Sequence, residues 1–66
     1  MMNVRYFPDT DMLLVNFSDR KLAETRDLTE DILIKMDEEG RLVSMTIEQA
    51  RQQMNVTEFS YQLAAT

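Results

Sequence analysis

Ile32-Leu33-Ile34-Lys35-Met36-Asp37-Glu38-Glu39-Gly40-Arg41-Leu42-Val43-Ser44-Met45-Thr46-Ile47 is the stretch that decides the fold. Two apolar runs with β-branched residues flank an acidic segment ending in the only glycine of the chain. Such runs read as strands. A glycine placed just after the tip supplies the left-handed backbone that closes a bulged hairpin. Residues 32–36 and 42–47 are therefore predicted to be antiparallel partners across a turn at 37–40. Alternation puts Ile32, Ile34 and Met36 on one face, with Val43, Met45 and Ile47 beside them.

Upstream, residues 4–7 (Val4-Arg5-Tyr6-Phe7) and 12–17 (Met12-Leu13-Leu14-Val15-Asn16-Phe17) form a second predicted hairpin. Pro8-Asp9-Thr10-Asp11 between them is turn chemistry: proline presets one backbone angle, and Asp side chains bond nearby amides. Leu13, Val15 and Phe17 join the core face. Residues 18–31 are polar apart from Leu22, Ala23 and Leu28, and are expected to be irregular, with at most a short edge strand at 22–25. Downstream, Thr46-Ile47-Glu48-Gln49 has the spacing of a capping box. It predicts a helix from 47 or 48 to Met54, laid over the core face through Ala50 and Met54. The tail, 55–66, fits two patterns: Val56, Phe59 and Leu63 suit a helix, whereas Phe59, Tyr61 and Leu63 suit a strand.

The resulting fold class is α+β: a small antiparallel β-meander of about four strands followed by a C-terminal helix, all within 1–66 as one small domain. With 66 residues, the chain buries only ~60% of the surface its unfolded form exposes. It has no cysteine to staple it, so pairing with a partner is the expected supplement.

Twelve acids face seven bases, a net charge of -5, and ten of those acids fall within residues 9–39. A surface of that sign repels phosphate backbones, so no nucleic-acid binding is expected. The longest apolar run near the N-terminus, Met12 to Val15, is too short for a membrane span or a signal core. The expectation is a cytoplasmic protein without membrane contact.

Face assignment also leaves Met12, Leu14, Leu33 and Leu42 on the side opposite the core. Together with Phe59, Tyr61 and Leu63 they make the candidate interface, because apolar groups clustered on a small domain mark contact surfaces. The tail is expected to cover that second face, in the same chain or across a two-fold axis.

Several stretches match in order and spacing a family of small bacterial proteins. Tyr6-Phe7-Pro8-Asp9-Thr10-Asp11-Met12-Leu13, Leu22-Ala23-Glu24-Thr25 and Asp37-Glu38-Glu39-Gly40-Arg41-Leu42-Val43 resemble the domain of unknown function 2283 over residues 4–50. The chain departs from that pattern at Phe7, Lys35, Ser44 and Thr46, where the family favours Asp, an acid, Gly and Glu. The resemblance implies a small antiparallel sheet with a C-terminal helix. Some members look like the small partner in toxin–antitoxin-type gene pairs.

Candidate chemistry is sparse. No histidine and no cysteine are present, so imidazole and thiol catalysis are excluded. Ser18, Ser44 and Ser60 lack an imidazole partner, leaving only Ser–Lys chemistry with Lys21 or Lys35. Asp9 with Asp11, and Asp37 with Glu38 and Glu39, have the oxygens of a hard-cation site but not its full ligand spacing. Asp27, Glu30 and Asp31, with Glu24 beside Arg26, supply carboxylates with no sign of burial. The expected function is non-enzymatic protein–protein interaction without cofactor or metal: self-association, or antitoxin-like binding of a basic partner. The alternative is a small-ligand or divalent-metal module using the acidic turns.

Overall fold

A computed structural model describes residues 2–64, so the ends of the predicted domain and the last two residues of the 55–66 tail lie outside the described residues. Five strands are present: β1 (Asn3–Phe7), β2 (Met12–Asn16), β3 (Glu24–Asp27), β4 (Ile32–Met36) and β5 (Leu42–Glu48), followed by α1 (Ala50–Gln53). All five join one antiparallel sheet in the order β1-β2-β5-β4-β3. The α+β class and the small antiparallel sheet hold, with five strands rather than four and β5 inserted between β2 and β4. The extra one is the edge strand, which sits two residues later than 22–25.

The register fixes which side chains stand together. Tyr6 opposes Leu13, which opposes Ile47, which opposes Ile32. One row further, Val4, Val15, Met45, Ile34 and Arg26 line up across all five strands. These rows form the core face. Between Lys35 and Met36 the ladder slips: Lys35 opposes Ser44 but Met36 opposes Leu42, leaving Val43 as the bulged residue. Val43 is buried, and its carbonyl accepts from the Phe17 and Ser18 amides at 2.8 and 3.3 Å. Gly40 has φ +78, the left-handed conformation the hairpin needs, and its amide donates to the Asp37 carbonyl.

The helix is the main departure. It is one turn, Ala50–Gln53, not the segment from 47 or 48 to Met54. The capping box does not form, because Thr46 is in the ladder, opposite Leu14 and Leu33. Gln49 stands at the N-cap in a left-handed conformation (φ 52, ψ 45), with no side-chain cap bond. Cross-strand pairing on both sides outweighed a local cap. Only Ala50 of the helix is buried, and Met54 is exposed. Residues 54–64 form neither helix nor strand. Asn55 Oδ1 instead accepts from the Thr57 amide and hydroxyl, a local turn.

The core is correspondingly thin. Leu13, Ile47 and Ala50 cluster, with Val4, Tyr6, Val15, Ile32, Met45 and Val56 half-buried around them. Among the described residues no large side chain is fully buried. The radius of gyration is 12.9 Å, against ~11 Å for a compact chain of this length. The molecule is a plate, 18 Å through its shortest dimension.

Ile47 is central and buried, whereas Ile34 lies where the face is open. Ile47→Ala should cost ~2–5 kcal/mol, and Ile34→Ala markedly less. Chemical denaturation of the two variants checks this; equal losses would contradict the uneven burial.

Candidate functional site

Two carboxylates organise the ends of the sheet. Asp11, in a left-handed conformation (φ 54), closes the β1–β2 turn. Its Oδ1 accepts from the Tyr6 hydroxyl at 2.6 Å, the Arg51 amide at 3.1 Å and Arg51 Nε at 3.2 Å. Its backbone carbonyl accepts from the Ala50 amide at 3.0 Å. Asp11 is thus the cap that Thr46 does not provide, reached from 40 residues away in sequence. The Tyr6 hydroxyl bond holds the Asp11 carboxyl below its ordinary value, aided by Arg51 and opposed by burial. The same bond raises the Tyr6 phenol, since ionised tyrosine would lose it.

Asp37 organises the other end. Its side chain is only 7% exposed. Oδ1 accepts from the Glu39 and Arg41 amides, both at 2.9 Å. Oδ2 meets Arg41 Nε and Arg20 Nε, both at 2.8 Å. Arg20 also donates from Nη2 to the Leu42 carbonyl, tying the β2–β3 connection to β5. The Arg41 amide bond, with the Glu39 amide and the Arg41 side chain, lowers the Asp37 carboxyl to about 2 against the cost of burial. The sequence showed an acidic tip here but not that one carboxylate serves four donors.

At the same end of the sheet as Asp11, Asp31 anchors the β3–β4 turn. Its carbonyl accepts from the Glu48 amide at 2.8 Å, and its Oδ1 from Gln49 Nε2 at 3.3 Å. Asp27, Glu30, Asp31 and Glu48 border a shallow pocket of about 160 Å³ with Ile32, Leu33 and Thr46. Among the described residues no group of three or more acids is arranged to hold a metal ion. Asp9 takes no part in the Asp11 contacts. Glu24 is paired with Arg26 at 2.6 Å on the edge strand.

The seven interface candidates do not form one surface. Leu14 and Leu33 flank Thr46 in one row of the second face, and Met12 stands near its end between Phe7 and Glu48. All three are half-buried, in a face that also carries Asn3, Arg5, Phe7, Asn16, Lys35 and Asp27. Leu42 is carried away by the bulge to oppose Met36, and it is exposed. Phe59 and Tyr61 do not lie over that group. With Met2 and Val4 they line a groove of about 320 Å³, and Val4 belongs to the core face. Leu63 is 86% exposed. Val56 is the tail residue that packs on the core.

The Asp37 bonds exist only while its carboxyl is charged. Because its value is depressed in the folded state, that stabilisation is present above the ordinary value of 3.8 and is lost as pH falls toward about 2. Asp37→Asn should lower the melting temperature at neutral pH and flatten its fall between those two values. A pH series of melts on both chains measures this, and parallel curves would contradict it.

Among the described residues no helix is long and apolar enough to cross a membrane. No curated protein and no solved structure matches the chain. One family model, described as a protein of unknown function (DUF2283), matches residues 3–51. That span takes in all five strands and both ends of the Asp11–Arg51 tie, and stops before the tail. With so much of its ordered framework inside the match, the chain belongs to the DUF2283 family.

Proposed function

We propose that this protein is a non-enzymatic protein-interaction module of the cytoplasm, whose sheet is completed by another polypeptide: a copy of itself or a basic protein such as a small RNase-like toxin. The observation that carries this reading is the missing second layer. A five-stranded sheet is covered by one helical turn and one tail residue, and no large apolar side chain among the described residues is fully enclosed. Sheets of this kind gain stability by burying a face against something else. Catalysis finds little support, since the chain has no histidine or cysteine and its two best-organised carboxylates already hold backbone, tyrosine and arginine donors. The net charge of -5 favours a basic protein over nucleic acid where the partner is a different molecule.

Three measurements test the reading. Affinity-tagged chain recovered from its host should carry a stoichiometric protein, either a second copy or another chain. A folded monomer recovered alone would overturn the proposal. Deleting residues 58–66 removes Phe59 and Tyr61 from beside Met2 and Val4, so binding of a hydrophobic dye should rise several-fold. Unchanged dye binding would mean the tail shields nothing. Addition of millimolar calcium or magnesium should leave the melting temperature in place. A rise abolished by Asp9→Asn would favour the divalent-metal alternative.

A further inference from the structure

We propose that the sheet face centred on Met45 packs against the same face of a second copy of this chain, forming a two-layer β-sandwich about a two-fold axis. This rests on the interaction reading above and names both the surface and the partner.

Four observations place the contact there. The cover over this face lies at its Leu13–Ile47 end and along the β1 border. Ala50 and Val56 pack around Leu13 and Ile47, leaving the next row, Val15, Met45 and Ile34, half-buried. These three stand side by side on the three middle strands, where nothing polar interrupts them. The opposite face places Thr46 between Leu14 and Leu33, and Ser44 between Asn16 and Lys35. A dry layer forms more readily over the first than the second.

Charge points the same way. A chain of net charge -5 repels its own copy unless the acids lie away from the contact. Eight of the twelve acids sit in the connections between strands, at the ends of the plate. On the Met45 face the strands carry only Glu24 and Arg26, which neutralise each other at 2.6 Å. The face is therefore uncharged overall and bordered by a pair that matches itself across a two-fold axis.

Size is adequate. Five strands spaced ~4.8 Å and five residues rising ~3.3 Å each give a footprint of roughly 400 Å² in projection. Side-chain relief and the exposed Phe59 and Tyr61 at the β1 border bring this toward the ~800 Å² of accessible surface that a standard interface takes from each partner.

The chain has no cysteine, so single-cysteine variants report the contact directly. Met45→Cys places a thiol at the centre of the proposed interface, and Thr46→Cys places one on the reverse face of the same strand. Sedimentation of the full chain should show twice the monomer mass. The dimer should tighten several-fold as sodium chloride rises from 50 to 500 mM, because salt screens the acids at the sheet ends. Mild oxidation should link Met45→Cys chains into covalent dimers and leave Thr46→Cys chains unlinked, with both variants first shown by circular dichroism to be folded. Linking through Thr46→Cys alone would move the interface to the Met12, Leu14 and Leu33 face and overturn this assignment. A monomer at every salt concentration would overturn the second copy as partner. If that monomer still co-purifies with a different protein, the interaction reading stands; if it is recovered alone, both fall.

Discussion

The structure depends on the double ladder of β5. This strand pairs with β2 on one side and β4 on the other. The two hairpin units, β1–β2 and β3–β4, reach each other only through it. Its alternation sets the two faces of the sheet. Its length also decides where α1 can begin, since pairing continues through Glu48, whose amide donates to the Asp31 carbonyl. Only then is the chain free to turn, and it does so through a left-handed Gln49 that costs roughly 1–2 kcal/mol in backbone energy. The bonds gathered around that turn, from Gln49 to Asp31 and from Ala50 and Arg51 to Asp11, offset the strain.

The acids that dominate the composition act mainly as acceptors for backbone and arginine donors. Asp11 and Asp37 are each the point where segments distant in sequence meet: the first turn with α1, and the β4–β5 tip with the β2–β3 connection. A carboxylate can accept several donors at once, and charged acceptors make the stronger bonds. In a domain with so thin a core, such junctions hold the ends of strands that packing alone leaves loose. The Tyr6 phenol belongs to the same scheme, with its ring on the core face and its hydroxyl on Asp11.

Much of the fold was legible in the residues. Period-two alternation located β1, β2, β4 and β5, and Gly40 marked its own turn. The register then brought Leu13, Ile47 and Ile32 together as alternation required. What was hidden is non-local. Thr46 and Gln49 fit a helix cap locally, but Leu14 and Leu33 claim Thr46 from both sides. The true cap, Asp11, lies 40 residues from Arg51, a spacing no local motif encodes. The bulge at Val43 is equally silent, because a one-residue slip changes pairing without changing apolar pattern. It separates Leu42 from Leu33 and Leu14, which strict alternation groups together. The tail admitted both periodicities and adopts neither, for Asn55 and Thr57 commit their polar groups to a local turn.

The short helix links fold to function. A helix reaching from Glu48 to Met54 would have laid two turns over the core face and closed it. Each residue that β5 keeps in the ladder is one that α1 cannot use, so a long central strand and a full helical cover compete for the same segment. The ladder prevails because Thr46 and Ile47 are paired on both sides, which outweighs the single local cap that Thr46 could give a helix there. The cost is apolar area left in water, ~25 cal/mol for each Å². In the proposed dimer that cost is recovered when the second sheet arrives. Eight of the twelve acids lie at the sheet ends, and the Met45 face is left without net charge. If the proposed contact forms, stability and association are set by the same residues, and a substitution in the row of Val15, Met45 and Ile34 acts on both together.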